Sequence, residues 1–247
     1  MVRVILCGRH LDDLRQLLTG LPVREVTARP DLILSYGGDG ALLGAERAFP
    51  GVPKLPLRDR RANPPCPDHG EAATLASLIA GRLQEARLIM LEATVMGRPD
   101  GVLTAVNDIV VHNRIITSAV RYRVWLNDVL YANQVVGDGL VAATPFGSSG
   151  YYRSITHSIF KTGLGLAFNN STEPTHHLVL PETTQVRVQI LRGPAVLLAD
   201  NAPGRLTLAA GAEVVIQRSP QVATVLGLEI FRCPICARRR QDNPDAG

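Results

Sequence analysis

The chain has 247 residues, of which 46% are hydrophobic and 19% charged, with a formal net charge of +4; that length holds one large domain or two modest ones. Mild basicity and 4% aromatic content exclude the broad basic, aromatic-studded face of a nucleic-acid binder, although they suit a polyanionic nucleotide. No apolar run approaches the ~18 residues of a membrane span, and Met1–Cys7 is too short and strand-like for a signal peptide, so the expectation is a cytoplasmic protein with neither membrane nor nucleic acid as partner.

Val2–Leu6 reads as a strand, and Leu11, Leu14, Leu17 and Leu18 share one helical face. Leu32–Tyr36 is a second strand, running into Gly37-Gly38-Asp39-Gly40 and a helix that ends near Phe49-Pro50. A further helix is expected over Glu71–Glu85, with Ala72, Leu75, Ile79 and Leu83 on one stripe. This alternation predicts an α/β domain with a parallel sheet over residues 1–87. From 88 to 227 the pattern changes to short strands between turn residues, among them Arg87–Thr94 at the junction, Val102–Val111, Val120–Leu126, Val186–Leu191, Ala195–Ala199 and Glu213–Gln217. One helix is expected near Gly150–Phe160. The second domain therefore reads as an all-β, sandwich-like unit.

A strand, a glycine turn and a helix start make a phosphate site: glycines let the backbone approach the anion, and free N–H groups at the helix start point at it. Asp39 in that turn adds a group that can hold Mg²⁺ or take a proton from an attacking hydroxyl; a simple tight turn is the plain alternative. Two more constellations follow. Asn107-Asp108 comes after Ala105-Val106, and Gly137-Asp138-Gly139 leads into Thr144-Pro145-Phe146-Gly147-Ser148-Ser149-Gly150-Tyr151. Each has a structural reading as well. Asn-Asp caps and turns strands readily, Asp138 between glycines suits a hairpin, and so does Asp200-Asn201 before Ala-Pro-Gly.

Taken in order, these three motifs resemble those of the NAD kinase family, over roughly residues 32 to 220. The resemblance implies the two-domain NAD kinase-like fold, with the tail, 228–247, returning to the α/β domain. It implies transfer of the γ-phosphoryl of ATP, or a phosphoryl of polyphosphate, to the 2′-hydroxyl of the adenosine ribose of NAD, with Mg²⁺ accompanying ATP, in a homodimer or homotetramer. Residue by residue, Asp39 would be general base or metal-side carboxylate, with Gly37, Gly38 and Gly40 around the phosphates. Asn107 and Asp108 would hold adenine and ribose, and Asp138 the nicotinamide amide or a ribose. Thr144, Gly147, Ser148, Ser149, Tyr151 and Ser154 would form the loop under the adenine, and Asp200 matches an acidic turn near the site. The chain departs from the family in several places. The glycine loop expected after GGDG is missing from Lys54–Pro67, Phe146 replaces Ser or Thr, Gly150 replaces Ala, and Gly163–Asn170 has no counterpart. Another kinase of the GGDG superfamily acting on a different hydroxyl, or a non-catalytic NAD(P)-binding module, are the competing readings.

Cys66-x2-His69 and Cys233-x2-Cys236 offer four ligands of the types and spacing that bind structural Zn²⁺ tetrahedrally, provided the tail returns to the first domain. Unrelated reduced thiols beside a surface histidine are the alternative. Cys7 reads as a small core residue. Of the two lysines, Lys54 and Lys161, Lys161 reads as solvated.

Overall fold

The computed structural model describes residues 1–59, 66, 69–173 and 175–241. Residues 60–65 and 67–68, within the region that lacks the glycine loop, lie outside the described residues. The chain forms two compact units, one combining Met1–Leu88 with the chain from Ala223 onward, the other spanning Ile89–Val222.

The first unit contains β1 (Val2–Gly8), α1 (Leu11–Leu18), β2 (Val23–Glu25), β3 (Leu32–Tyr36), α2 (Asp39–Ala48), β4 (Lys54–Leu57), α3 (Glu71–Ile79) and the start of β5 (Glu85–Val95). The second continues with β6 (Val102–Ala105), β7 (Asp108–Asn113), β8 (Val120–Leu126), β9 (Val129–Gly137), β10 (Gly139–Ala143), α4 (Tyr151–Thr156) and β11 (Leu164–Asn169). Then follow β12 (Leu178–Leu180), β13 (Val186–Arg192), β14 (Ala195–Ala199), β15 (Leu206–Leu208) and most of β16 (Glu213–Leu226). The helices α5 (Leu228–Phe231) and α6 (Pro234–Gln241) belong again to the first unit.

In the first unit the strands are parallel in the order β2-β1-β3-β4, and Val225 at the end of β16 pairs with Lys54. All five residues of β3 are buried, as befits a central parallel strand covered on both faces. Leu32, Leu34 and Tyr36 face one core with Leu14 of α1 and Leu75 of α3. Leu42, Leu43 and Ala45 of α2 are buried outside that cluster, where α2 contacts β1, β3 and β4. The chain leaves β1 toward β2 and returns to place β3 on β1's other side. The carboxyl ends of β1 and β3 thus flank a topological switch point, where open α/β sheets bind ligands. GGDG follows β3 at that edge.

The second unit stacks two antiparallel layers. One runs β12-β11-β10-β7-β14-β15; the other holds β13 between β16 and β8, with β9 outside β8. One core joins them, with Ile109, Val111, Leu140 and Leu197 from the first layer and Tyr122, Val124, Val188 and Ile216 from the second. This is the sandwich that the spacing of short strands predicts. No helix among the described residues is long and apolar enough to cross a membrane.

Three local expectations differ. The helix expected over Glu71–Glu85 ends at Ile79. Gly81 takes φ +64°, and the N–H groups of Gly81 and Arg82 cap Leu78 and Ser77, a glycine stop that the apolar stripe does not reveal. The strand expected over Val102–Val111 is broken at Val106-Asn107, for a reason that belongs to the site. Cys7 is only partly buried rather than a core residue, with burial still pushing its thiol upward. Lys161 is exposed.

Candidate functional site

At the carboxyl edge of the first unit, Gly37 has φ +141° and donates its N–H to the Leu57 carbonyl at 2.8 Å, a conformation that side chains resist. Gly38 caps α2 and Asp39 opens it, placing a carboxylate at the positive helix end. Asp39 is held from two directions: Oδ1 lies 3.2 Å from Arg58 Nη2 and Oδ2 lies 2.9 Å from Arg232 Nη2. Arg58 directly follows β4. Its Nε and Nη2 both donate to the Phe231 carbonyl at 3.2 Å, and its guanidinium lies 4.0 Å from the centre of the Phe231 ring. Nearby elements add His10, after β1, whose Nδ1 is 2.8 Å from the Asp59 carboxylate. Sequence reasoning selects Asp39 and misses Arg58, Phe231 and Arg232, because no local spacing links them to the turn.

The same unit gathers Cys66, His69, Cys233 and Cys236, with one ligand atom from each within 4.8 Å of all the others. The three cysteines are buried and form their own cluster. Cys66 and Cys236 Sγ are 3.1 Å apart, Cys236 Sγ is 3.6 Å from His69 Nδ1, and the Cys66 N–H donates to Cys236 Sγ at 3.2 Å. Backbone N–H groups, that of Cys236 foremost, bring the Cys233 thiol down to about 7. Three thiols and an imidazole converging in this way fit a group that prefers sulfur and nitrogen in tetrahedral array, and N–H···S bonds are the usual outer support of such ligands.

In the second unit the break between β6 and β7 is the centre of a separate cluster. The N–H groups of Val106, Asn107 and Asp108 donate to the Asp200 carboxylate at 2.9, 2.7 and 3.2 Å. In return the Asp200 N–H donates to the Asp108 carbonyl at 2.9 Å. Asp200, itself at φ +49°, thus takes the N–H groups at the break, leaving Val106 and Asn107 outside the strands and Asp108 as the first residue of β7, opposite Ala143. Asn107 Oδ1 is buried and, among the described residues, has no hydrogen-bond partner. Thr144 Oγ1 donates to the Val106 carbonyl at 2.6 Å and accepts the Gly147 N–H at 3.0 Å, while the Thr144 N–H donates to the Asn107 carbonyl.

Ser148 Oγ lies within bonding distance of the Pro145 and Phe160 carbonyls, and Ser154 Oγ donates to the Tyr151 carbonyl. The hydroxyls of Thr144, Ser148 and Ser154 therefore shape the loop itself; Ser149 and Ser154 are exposed. Asp138 is bracketed by asparagines: Asn113 Nδ2 donates to Oδ1 at 3.2 Å and Asn170 Nδ2 to Oδ2 at 2.6 Å. Asn169 Nδ2 donates to the Tyr151 hydroxyl at 3.0 Å. Asn169 ends β11 and Asn170 follows it; a polar pair ending an apolar strand is the signal for them in the sequence.

Gly147 permits this geometry. A Cβ there would lie 2.2 Å from the Asn107 carbonyl oxygen and 2.5 Å from its Cα. Gly147→Ala must therefore push the loop off Asn107, and we expect a loss of about 1–3 kcal/mol of stability. Thermal unfolding of the variant checks this, and an unchanged Tm would contradict the close approach.

Burial, and then the Asp200 charge, push Asp108 up to about 7. The folded protein keeps this proton to near neutrality, whereas the unfolded chain releases it near pH ~4. The native state binds more protons across that window, so stability falls as pH rises through it. The effect is on the order of a few kcal/mol. Urea unfolding at pH 5 and pH 8 should show this decline in the native sequence and a smaller one in Asp108→Asn. Equal pH slopes would rule Asp108 out as its source.

The fold is that of NAD kinases. It matches yeast NADH kinase complexed with NADH at a TM-score of 0.80 and 16% identity, over 99% of this chain and 87% of that one. It matches an NAD kinase from Archaeoglobus fulgidus in complex with ATP at 0.75 and 18%, over 96% and 99%. In sequence, the NAD kinase of Nitrosococcus oceani is 30% identical over 209 residues, covering 79% of this chain and 71% of the relative. That of Methylibium petroleiphilum is 29% identical over 239 residues, covering 87% and 78%. No protein-family model matches. The chain belongs to the NAD kinase family, whose members are phosphotransferases.

Proposed function

We propose that this chain moves the γ-phosphoryl of ATP to the 2′-hydroxyl of the adenosine ribose of NAD, producing NADP. The observation that carries the assignment beyond family membership is the orphaned Asn107 Oδ1. Buried amide oxygens are almost always bonded, and an adenine amine would satisfy this one. Asp108 beside it, pushed up to about 7 chiefly by burial, can accept from ribose hydroxyls as a carboxylate and donate to them when protonated. Asp138, fixed by Asn113 and Asn170, would take the nicotinamide amide or its ribose, and Asp200 keeps the Asn107-Asp108 turn in shape.

Gly37, Gly38 and Gly40 would leave the backbone open to the phosphates of MgATP, in which Mg²⁺ arrives with the donor and neutralises its charge. Arg58 and Arg232 hold Asp39 in one orientation as the group that takes the hydroxyl proton. Cys66, His69, Cys233 and Cys236 would hold a structural Zn²⁺. Cytoplasmic residence is supported by the reduced thiols that such a site needs, which an oxidising compartment would tend to pair. A homodimer or homotetramer is supported by apolar side chains left in solvent on the second unit, including Ile116 at 89% and Val129 at 71% exposure. The test is incubation of purified protein with NAD, ATP and Mg²⁺ followed by assay for NADP. Tight NAD binding with no NADP would leave the dinucleotide site and refute the kinase reading.

A further inference from the structure

Arg232, which holds Asp39, is the residue immediately before Cys233, and Phe231, whose carbonyl and ring hold Arg58, precedes it. The segment carrying them has little of its own to keep it in place. α5 has four residues and α6 eight, lengths that are not stable alone. Between Phe231 and Arg238 the buried side chains are those of Phe231, Cys233 and Cys236, while Ile235 is 51% exposed. Apart from the Phe231 anchor and the Arg58 and Asp39 contacts themselves, the segment is thus fastened at the point where its two sulfurs meet Cys66 and His69.

We propose that Zn²⁺ bound by Cys66, His69, Cys233 and Cys236 is the clasp that holds Arg232 and the Phe231 carbonyl in place, making the Asp39–Arg58–Arg232 arrangement conditional on the metal. Arg232 is a positioning residue for Asp39. Binding exchanges thiol protons for metal–sulfur bonds and involves no oxidation. The inference rests on the metal reading above and not on the identity of the phosphoryl acceptor.

Protein purified without added zinc should carry about one zinc per chain, as a structural site demands; less than ~0.2, or a Cys66–Cys236 disulfide in its place, overturns the proposal. Stripping the metal with a chelator under reducing conditions should speed hydrogen exchange of amides 228–237 and of the first turn of α2 by tenfold or more. Added Zn²⁺, but not Mg²⁺, should restore protection, and unchanged exchange would overturn the clasp. Because stripped protein can lose its fold altogether, Arg232→Gln supplies a second arm. It should keep its zinc and its Tm, yet lower kcat for NADP formation by about tenfold or more, a cost expected of misplaced reacting groups. KM for ATP should change little, and Arg232→Lys should recover part of the rate. Full kcat in Arg232→Gln defeats the positioning role. If the native sequence forms no NADP, the kinase reading has failed, and zinc content with exchange decides the clasp alone.

Discussion

Asp39→Asn is expected to lower kcat for NADP formation by about 10²–10⁴-fold, the usual contribution of a positioned acid–base group, while NAD still binds. The substitution keeps shape and size at the first position of α2 and leaves the glycine backbone of the turn untouched. It removes the carboxylate proposed above as the proton acceptor, and with it the charge that both guanidiniums face at 3.2 and 2.9 Å. The stability change should be small. The Asp39 side chain is 37% exposed, and ion pairs so open to solvent contribute only about 0–1 kcal/mol. A large rate loss at constant Tm therefore isolates chemistry from folding. A kcat within about threefold of the native value would reduce Asp39 to a turn residue and return GGDG to its plain structural reading.

Lys54→Met is expected to destabilise the first unit by about 3–5 kcal/mol, the cost of leaving a buried charge without its partner. Lys54 on β4 is fully buried, its ammonium paired with Glu46 of α2 and donating to the Phe49 carbonyl at 2.8 Å. Burial pulls its pKa down, yet the pair survives because Glu46 is buried with it and also accepts the Gly51 N–H. Replacing both partners, Lys54→Met with Glu46→Leu, should recover most of the loss, since well-packed apolar groups often match a buried pair. Urea unfolding of the single and double variants measures the coupling directly. A single variant as stable as the native protein would mean that water reaches Glu46.

The architecture was legible wherever one rule governed a segment. An apolar strand ending in glycines, and short strands spaced by turn residues, pointed to an α/β layer and a sandwich, and those are present. The rules failed where a distant group intervened. Asp200 breaks the strand expected through Val102–Val111 by taking the N–H groups of Val106, Asn107 and Asp108 at the break, and nothing near Val106 announces it. Gly81 ends a helix whose stripe runs on to Leu83. In the candidate site, GGDG and Asn107-Asp108 were visible as local motifs, whereas Arg58 and Arg232 become relevant to Asp39 only after β4 and the chain beyond β16 join the same unit. Lys54 carries no local signal of its burial, because its partner Glu46 lies on another element.

Since the first unit draws on both Met1–Leu88 and the chain from Ala223 onward, its order of completion during synthesis is inverted. The ribosome delivers Ile89–Val222 as one uninterrupted stretch, so the second unit can fold while the first still lacks its last strand and tail, contrary to the usual N-terminal-first sequence. Asp39 is translated before the second unit, but its partner Arg232 and the sulfurs of Cys233 and Cys236 follow only after all of Ile89–Val222. A nascent chain therefore carries GGDG long before it can hold Asp39 from both sides.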